Sequence, residues 1–383
     1  MYTPAPPNPP SPRKISAAIL IALFIGGLLF GGVAVFFFSY QQVNALNNQI
    51  GNLQNQVSDL RGFQNATTQN ITILQNATSL DAIYANVRQS VVLIMGDTSD
   101  GGVQASGFVY NFGGTIVVLT NYHVVEGTTS LSVTFSDGNG YSATVLGTDP
   151  YADLAVLSVS APASEFKPVQ IVSSSGLAVG EQVIAIGNPY GLVGSLTTGV
   201  VSATGRTITE DTAGGFAIAN IIQTSTPINP GNSGGPLLNA VGNVVGITTA
   251  IVSDSQGLGF AIPSNTILRE ISSLISTGSY HGHSYLGVTG EDMTYDLAQQ
   301  DGASVTYGWR IASIVSGGPS DGKLSVGDII IAMNQHPIRN NDDLASYLEE
   351  NTLPGDSLTL TIVRGSSQID VTVVLATRPP PTA

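Results

Sequence analysis

The chain of 383 residues contains no cysteine. Disulfides, thiolate nucleophiles and cysteine-ligated metals are thereby excluded. Charge is scarce as well: 10% of residues are Asp, Glu, Lys or Arg, against about 25% in ordinary soluble chains. The little charge present is unbalanced, with 26 acidic and 12 basic residues and a net charge of −14. Such a surface repels a phosphate backbone, so no nucleic-acid partner is expected. Histidine occurs only at 123, 281, 283 and 336, with no HExxH pair. Zincin chemistry therefore has no support, and neither a metal nor a cofactor is expected.

Apolar residues and glycine are plentiful, at 42% of the chain and 44 residues. The length allows two or three domains. Residues 1–14 form a Pro-rich tail ending in Arg13-Lys14, and residues 15–38 then carry no charge. As a helix, 15–38 would be about 36 Å long, enough to cross roughly 30 Å of hydrocarbon. The basic flank predicts a cytoplasmic N-terminus, with everything after the span outside. A cleaved signal peptide, cut near Val43-Asn44-Ala45, is the alternative; its apolar core is normally about 7–15 residues, so the length favours an anchor. Within 41–80, Val43, Leu46, Ile50, Leu53, Val57 and Leu60 repeat at spacings of three and four, which predicts a coiled-coil stalk. Three Asn-x-Thr sequons, at Asn65, Asn70 and Asn76, make this external segment glycosylatable.

From about residue 88 the texture changes to short Val/Ile-rich runs punctuated by Gly, Asn, Asp and Pro, which predicts an antiparallel sandwich or barrel. Residues 264–277 read as a helix with Ile267, Leu268, Ile271, Leu274 and Ile275 on its apolar face. Within the β-rich region INPGNSGGPLLN places Ser233 among glycines, LTNYHVVEG places His123 at the end of an apolar strand, and Asp153 opens LAVLSV. Each alone reads as a turn or a structural residue. Together they supply a nucleophile, a proton carrier and an orienting carboxylate. The order His, Asp, Ser is that of chymotrypsin. The oxyanion loop is Gly231, Asn232 and Ser233, with the amides of Gly231 and Ser233 as donors and Asn232 shaping the turn.

The segments LTNYHVV, DPYADLAVL, AIGNPYGLVGSLTTGVVSATGR, QTSTPINPGNSGGPLLN and GLGFAIP follow in an order that closely resembles the HtrA/Deg serine proteases, over roughly residues 80–378. The resemblance implies a chymotrypsin-like double β-barrel over 81–278 followed by a PDZ domain over 284–378. It carries the catalytic roles onto His123, Asp153 and Ser233, and the anchor with one trailing domain is similar to the DegS-like arrangement. It also implies a homotrimer, whereas Val/Ile and Leu in the stalk seam favour a two-stranded coil. The chain departs from the family pattern at Ser225, Pro227 and Thr248. Ile228, Ile247 and Thr248 are then expected to form a shallow, uncharged pocket for small aliphatic residues.

In the trailing module, Tyr285, Leu286, Gly287 and Val288 resemble a PDZ carboxylate-binding loop, and residues 341–350 read as a capped helix bearing Leu344, Tyr347 and Leu348. His281 and His283 lack a third ligand nearby and read as parts of a solvated linker. Arg206, closing a predicted loop over 188–206, is expected to sense the PDZ domain. The function implied is a membrane-anchored, ATP-independent endopeptidase for unfolded or damaged proteins outside the cytoplasm, regulated by C-terminal peptides. The alternative is a non-catalytic chaperone or peptide-binding scaffold.

Overall fold

The computed structural model describes residues 79–380, apart from 100, 189–193, 210–216 and 250–257, together with the isolated positions 25 and 41. The expected span at 15–38 and nearly all of the stalk at 41–80 lie outside the described residues. Among the described residues no helix is long and apolar enough to cross a membrane.

Helix α1 (Leu80–Val87) leads into two barrels. The first is built from β1 (Val91–Thr98), β2 (Gly101–Phe112), β3 (Thr115–Thr120), β4 (Ser130–Thr134), β5 (Gly140–Asp149) and β6 (Leu154–Val159). A one-turn helix, α2 (Tyr122–Val125), follows β3. The second barrel comprises β7 (Gln182–Gly187), β8 (Ser195–Thr209), β9 (Ala217–Thr224), β10 (Pro236–Asn239), β11 (Val244–Thr249) and β12 (Gly259–Pro263). Both sheets close, in the orders β1-β2-β3-β6-β5-β4 and β10-β11-β12-β9-β8-β7. Closure removes exposed sheet edges, and the strands' Val/Ile content suits burial between a barrel interior and a neighbouring layer. Strand β11 is buried at all six positions. One core cluster joins both barrels through residues such as Leu119, Leu154, Ile186 and Leu238.

Helix α3 (Ser264–Thr277) follows β12 with the boundaries its periodicity predicts. Ile267, Ile271 and Leu274 are fully buried, whereas Leu268 is 40% exposed and lies off the packed face.

The trailing module starts with β13 (Ser284–Tyr285) and β14 (Val288–Asp292), then α4 (Tyr295–Asp301), β15 (Trp309–Ile314), β16 (Ile329–Met333) and β17 (His336–Pro337). It continues with α5 (Asn341–Asn351), β18 (Ser357–Arg364), β19 (Ser367–Val374) and β20 (Ala376–Thr377). The main sheet runs β14-β15-β16-β18-β19, which leaves β14 at an edge. Leu344 of α5 enters a separate core with Trp309, Ile330 and Leu360, and Tyr347 and Leu348 pack at its margin. The cap of α5 is Asn340, whose Oδ1 accepts the Asp343 N–H at 3.0 Å.

Two expectations change. Residues 188–206 are not one loop, because β8 begins at Ser195 and carries Arg206 within a strand. His283 is not a solvated linker residue: it is 4% exposed and bonded on both ring nitrogens. Its polar sequence neighbours conceal this, since its partners lie on β5 and α5. His281 does remain exposed.

Candidate active site

Asp153 closes a 3₁₀ turn, Pro150–Ala152, in the left-handed conformation at φ 47° and ψ 45°. For a residue with a Cβ that conformation is disfavoured and persists only where its surroundings enforce it. Here they do. The Asp153 N–H donates to the Pro150 carbonyl at 3.1 Å, and Asn121 Nδ2 donates to the Asp153 carbonyl at 3.1 Å. Left-handed backbone and burial (1% exposed) turn the carboxylate toward α2. Its Oδ1 accepts the His123 main-chain N–H at 3.0 Å, and His123 Nδ1 lies 3.0 and 2.9 Å from the two carboxylate oxygens. Thr249 Oγ1, on β11, donates to Oδ2 at 3.1 Å. His123 itself sits in the α2 turn rather than at the end of β3, which stops at Thr120.

Ser233 lies in the turn between β9 and β10 and is 5% exposed. The turn is built from backbone bonds that run from Asn232 N–H to Asn229 C=O and from Gly235 N–H to Asn232 C=O, both at 2.9 Å. Gly231 and Gly234 have φ of 96° and 83°. A Cβ on Gly234 would also meet the Ser106 carbonyl at 2.1 Å, so only glycine fits there. The Asn232 N–H is spent inside the turn, in keeping with a shaping role for that residue.

Strand β11 braces both halves of the site. Thr248 Oγ1 donates to the carbonyls of Asn232 at 2.7 Å and Gly235 at 3.1 Å, while its neighbour Thr249 holds Asp153. Ser106, fully buried on β2, does the same from the first barrel. Its N–H donates to the Ser233 carbonyl at 2.8 Å, and its hydroxyl donates to the Gly231 carbonyl at 2.6 Å. That hydroxyl also accepts the Asn188 N–H at 2.8 Å, and the Ser106 carbonyl accepts Thr120 Oγ1 at 2.8 Å. Sequence reasoning did not single out Ser106, Thr120 or Thr249. The one available signal was hydroxyls interrupting apolar strands whose side chains are otherwise buried.

The remaining residues are dispersed. Ile228 is half-buried against the second barrel's core, Ile247 belongs to the shared core, and the Thr248 hydroxyl is occupied by the turn. In the trailing module Tyr285 pairs through β13, and the Leu286 carbonyl accepts Ser320 Oγ at 2.6 Å. The Gly287 carbonyl accepts the Val315 N–H at 2.9 Å, and Val288 opens the edge strand β14. Arg206 reaches α5: its guanidinium lies 3.0 Å from Asp342 Oδ2, while the adjacent Thr207 N–H donates to Asp342 Oδ1 at 2.7 Å.

Residues 105–247 match the family of trypsin-like peptidase domains, and residues 284–375 match PDZ domains. The chain is 36% identical over 289 residues to HhoA of Synechocystis sp., a protein named as a serine protease, covering 73% of this chain and 72% of that one. It is 37% identical to a DegP-like periplasmic serine endoprotease of Brucella suis, but spans only 53% of that relative's length. Protease Do-like 1 of the Arabidopsis thaliana chloroplast is also 37% identical, with 64% of its length spanned. Among solved structures, the HtrA-type protease AlgW with decapeptide superposes at a TM-score of 0.64 and 30% identity, over 79% of this chain and all of that one. Barrel pair, trailing PDZ module and a relative matched over most of both lengths agree: this chain belongs to the HtrA/Deg family of serine proteases.

Proposed function

We propose that this chain is a membrane-anchored endopeptidase that acts outside the cytoplasm on unfolded or damaged proteins. The observation that carries the catalytic reading is the position of Asp153, gripped by Thr249 and by the His123 backbone while facing His123 Nδ1. In this reading His123 takes the Ser233 Oγ proton as that oxygen attacks the substrate carbonyl. The peptide C–N bond then breaks, and the proton passes from His123 to the departing amine. Water, deprotonated in turn by His123, releases the acyl group and restores Ser233. Asp153 keeps the imidazole in its working tautomer and stabilises the imidazolium. The amides of Gly231 and Ser233 receive the oxyanion, and Ser106, by holding the Gly231 and Ser233 carbonyls, keeps the turn oriented.

The half-buried, uncharged Ile228 side chain supports a preference for small aliphatic residues before the cut, whereas Ile247 and Thr248, expected beside it, are fully buried and do not open onto a pocket. The loop Tyr285, Leu286, Gly287 and Val288, followed by the edge strand β14, suits a C-terminal peptide added as a strand. The peptide held by AlgW supports peptide ligands here too. Arg206 links the second barrel to α5 and is proposed to report the state of the PDZ module. The uncharged stretch 15–38 supports the anchor, relatives named as periplasmic endoproteases support an external protease domain, and the family resemblance supports a homotrimer. The test is hydrolysis of casein together with fluorophosphonate labelling. Wild type should do both and Ser233→Ala neither; an unlabelled, inactive wild type would turn the reading toward a scaffold.

A further inference from the structure

A buried histidine stands at the joint between the barrels and the PDZ module. His283 Nε2 lies 2.6 Å from Asp149 Oδ2, at the end of β5, and Nδ1 lies 3.0 Å from Glu349 Oε2, on α5. Arg269 of α3 pairs with Glu349 and, at 2.6 Å, with Glu270. Asp149, Glu270 and His283 bring ligand-type atoms within 4.8 Å of one another, but Asp149 and His283 are already closed on each other by hydrogen bonding.

Asp149 is also the cap of the turn that ends in Asp153. Its Oδ1 accepts the Tyr151 N–H at 2.9 Å, and Asp153 closes the same turn onto Pro150 at 3.1 Å. The two carboxylate oxygens of Asp149 therefore act separately, one holding the turn of Asp153 and the other meeting the joint. Tyr151, inside the turn, is held as well. His283 packs edge-on at 5.5 Å from its ring, and the Arg378 guanidinium lies 3.7 Å over it. The Arg378 main-chain N–H in turn donates to the His283 carbonyl at 2.9 Å.

We propose that His283 and Asp149 are positioning residues of the proteolytic site, tying the left-handed turn that carries Asp153 to helix α5 of the PDZ module. The proposal rests on the reading of His123, Asp153 and Ser233 as the catalytic triad. Its physical content is a restraint. Asp153 occupies a conformation that its own chain disfavours, so the turn before it must be pinned, and three of its contacts run to the joint.

The charges agree with a pinned state. Burial pulls the His283 pKa down, but its bonds to Asp149 and Glu349 outweigh burial and push it up to about 10. Burial raises Glu349, yet His283 and Arg269 outweigh it and hold that carboxylate at about 2. The imidazolium so favoured attracts the Asp149 carboxylate that caps the turn.

The test uses the full chain and a peptide substrate, with kcat and KM measured separately. His283→Gln and Asp149→Leu should lower kcat about 10-fold or more while KM stays within about twofold. Fluorophosphonate labelling of Ser233 should slow in step with kcat. Asp149→Asn keeps an acceptor for the Tyr151 N–H and can donate from Nδ2 to His283 Nε2 once the ring proton sits on Nδ1 toward Glu349, so it should recover most of the loss. An unchanged kcat, a loss carried by KM, or equal defects in Asp149→Asn and Asp149→Leu would overturn the proposal. If Asp149→Leu does not fold by circular dichroism, Glu349→Gln replaces it, and lowered or unchanged kcat decides the same way. Ser233→Ala is the separate control: activity surviving there would sink the triad reading rather than the restraint.

Discussion

His123 and His283 are each held against carboxylates at hydrogen-bond distance, yet their surroundings make them different devices. The His123 side chain is 21% exposed and faces one carboxylate, Asp153, through one ring nitrogen. The His283 side chain is 4% exposed and is clamped on both nitrogens by Asp149 and Glu349. A histidine that stays partly exposed beside a carboxylate suits the proton-carrying role proposed for His123. One that is 4% exposed with both nitrogens facing carboxylates favours its protonated form. Burial, rather than residue type, separates the proposed catalyst from the proposed clasp.

The largest test of this contrast is at the first histidine's site. Ser233→Ala should remove casein cleavage, a loss of about 10⁶ in kcat by analogy with subtilisin, and Asp153→Asn about 10⁴ through the wrong tautomer. Folding, followed by circular dichroism, should survive both. At the clasp the balance should reverse. His283→Leu removes the partner of the buried Asp149 carboxylate and one of the two cations at the part-buried Glu349, and should cost about 3–5 kcal/mol of stability, read by urea unfolding of the full chain.

The pH dependence of unfolding sharpens the comparison further. His283 is raised from 6.5 to about 10, so its contribution is complete below pH 6.5 and is lost as pH rises through 10. Glu270 is raised above 4.5 by burial and then by Asp149, so its ionisation also weakens the fold as pH climbs above 4.5. Glu349 is lowered from 4.5 to about 2, so its contribution is present above pH 4.5 and is lost as pH falls through 2. Stability should therefore be greatest in mildly acidic solution and fall on both sides, and His283→Leu should flatten the alkaline fall. A wild-type profile rising steadily from pH 5 to 10 would contradict this. Below these effects lie the braces. Ser106→Ala leaves the part-buried Gly231 carbonyl without its donor and the buried Asn188 N–H without its acceptor, at about 1–3 kcal/mol, and should lower kcat about 10-fold or more with little change in KM. The smallest effect is expected at the cap of α5, where Asn340→Ala should cost about 1 kcal/mol in thermal unfolding.

Much of the catalytic region was readable before any fold was known, because its parts carry local signals. Glycines around Ser233 mark a backbone that only glycine can follow, and the order of His123, Asp153 and Ser233 along the chain matches one known layout. Helix α3 was equally legible from its period, although Leu268 shares the apolar stripe and points away from the packed side. Ser106 and Thr249 were not legible. A serine or threonine inside a strand looks like any other until the partner carbonyl or carboxylate is known to lie opposite it.

His283 shows the limit most sharply. The sequence by itself determined the residue types, the β-rich texture, the tight turn at Ser233 and the uncharged stretch at 15–38, because each depends on neighbours along the chain. Only the tertiary structure decided that His283 is buried, that Asp149 serves both it and the turn of Asp153, and that β11 braces Asp153 and the nucleophile turn with adjacent threonines. Asp149 and His283 are 134 residues apart. Desolvation and hydrogen bonding act through space, and composition along the chain carries no record of which distant groups barrel closure and domain docking will bring together.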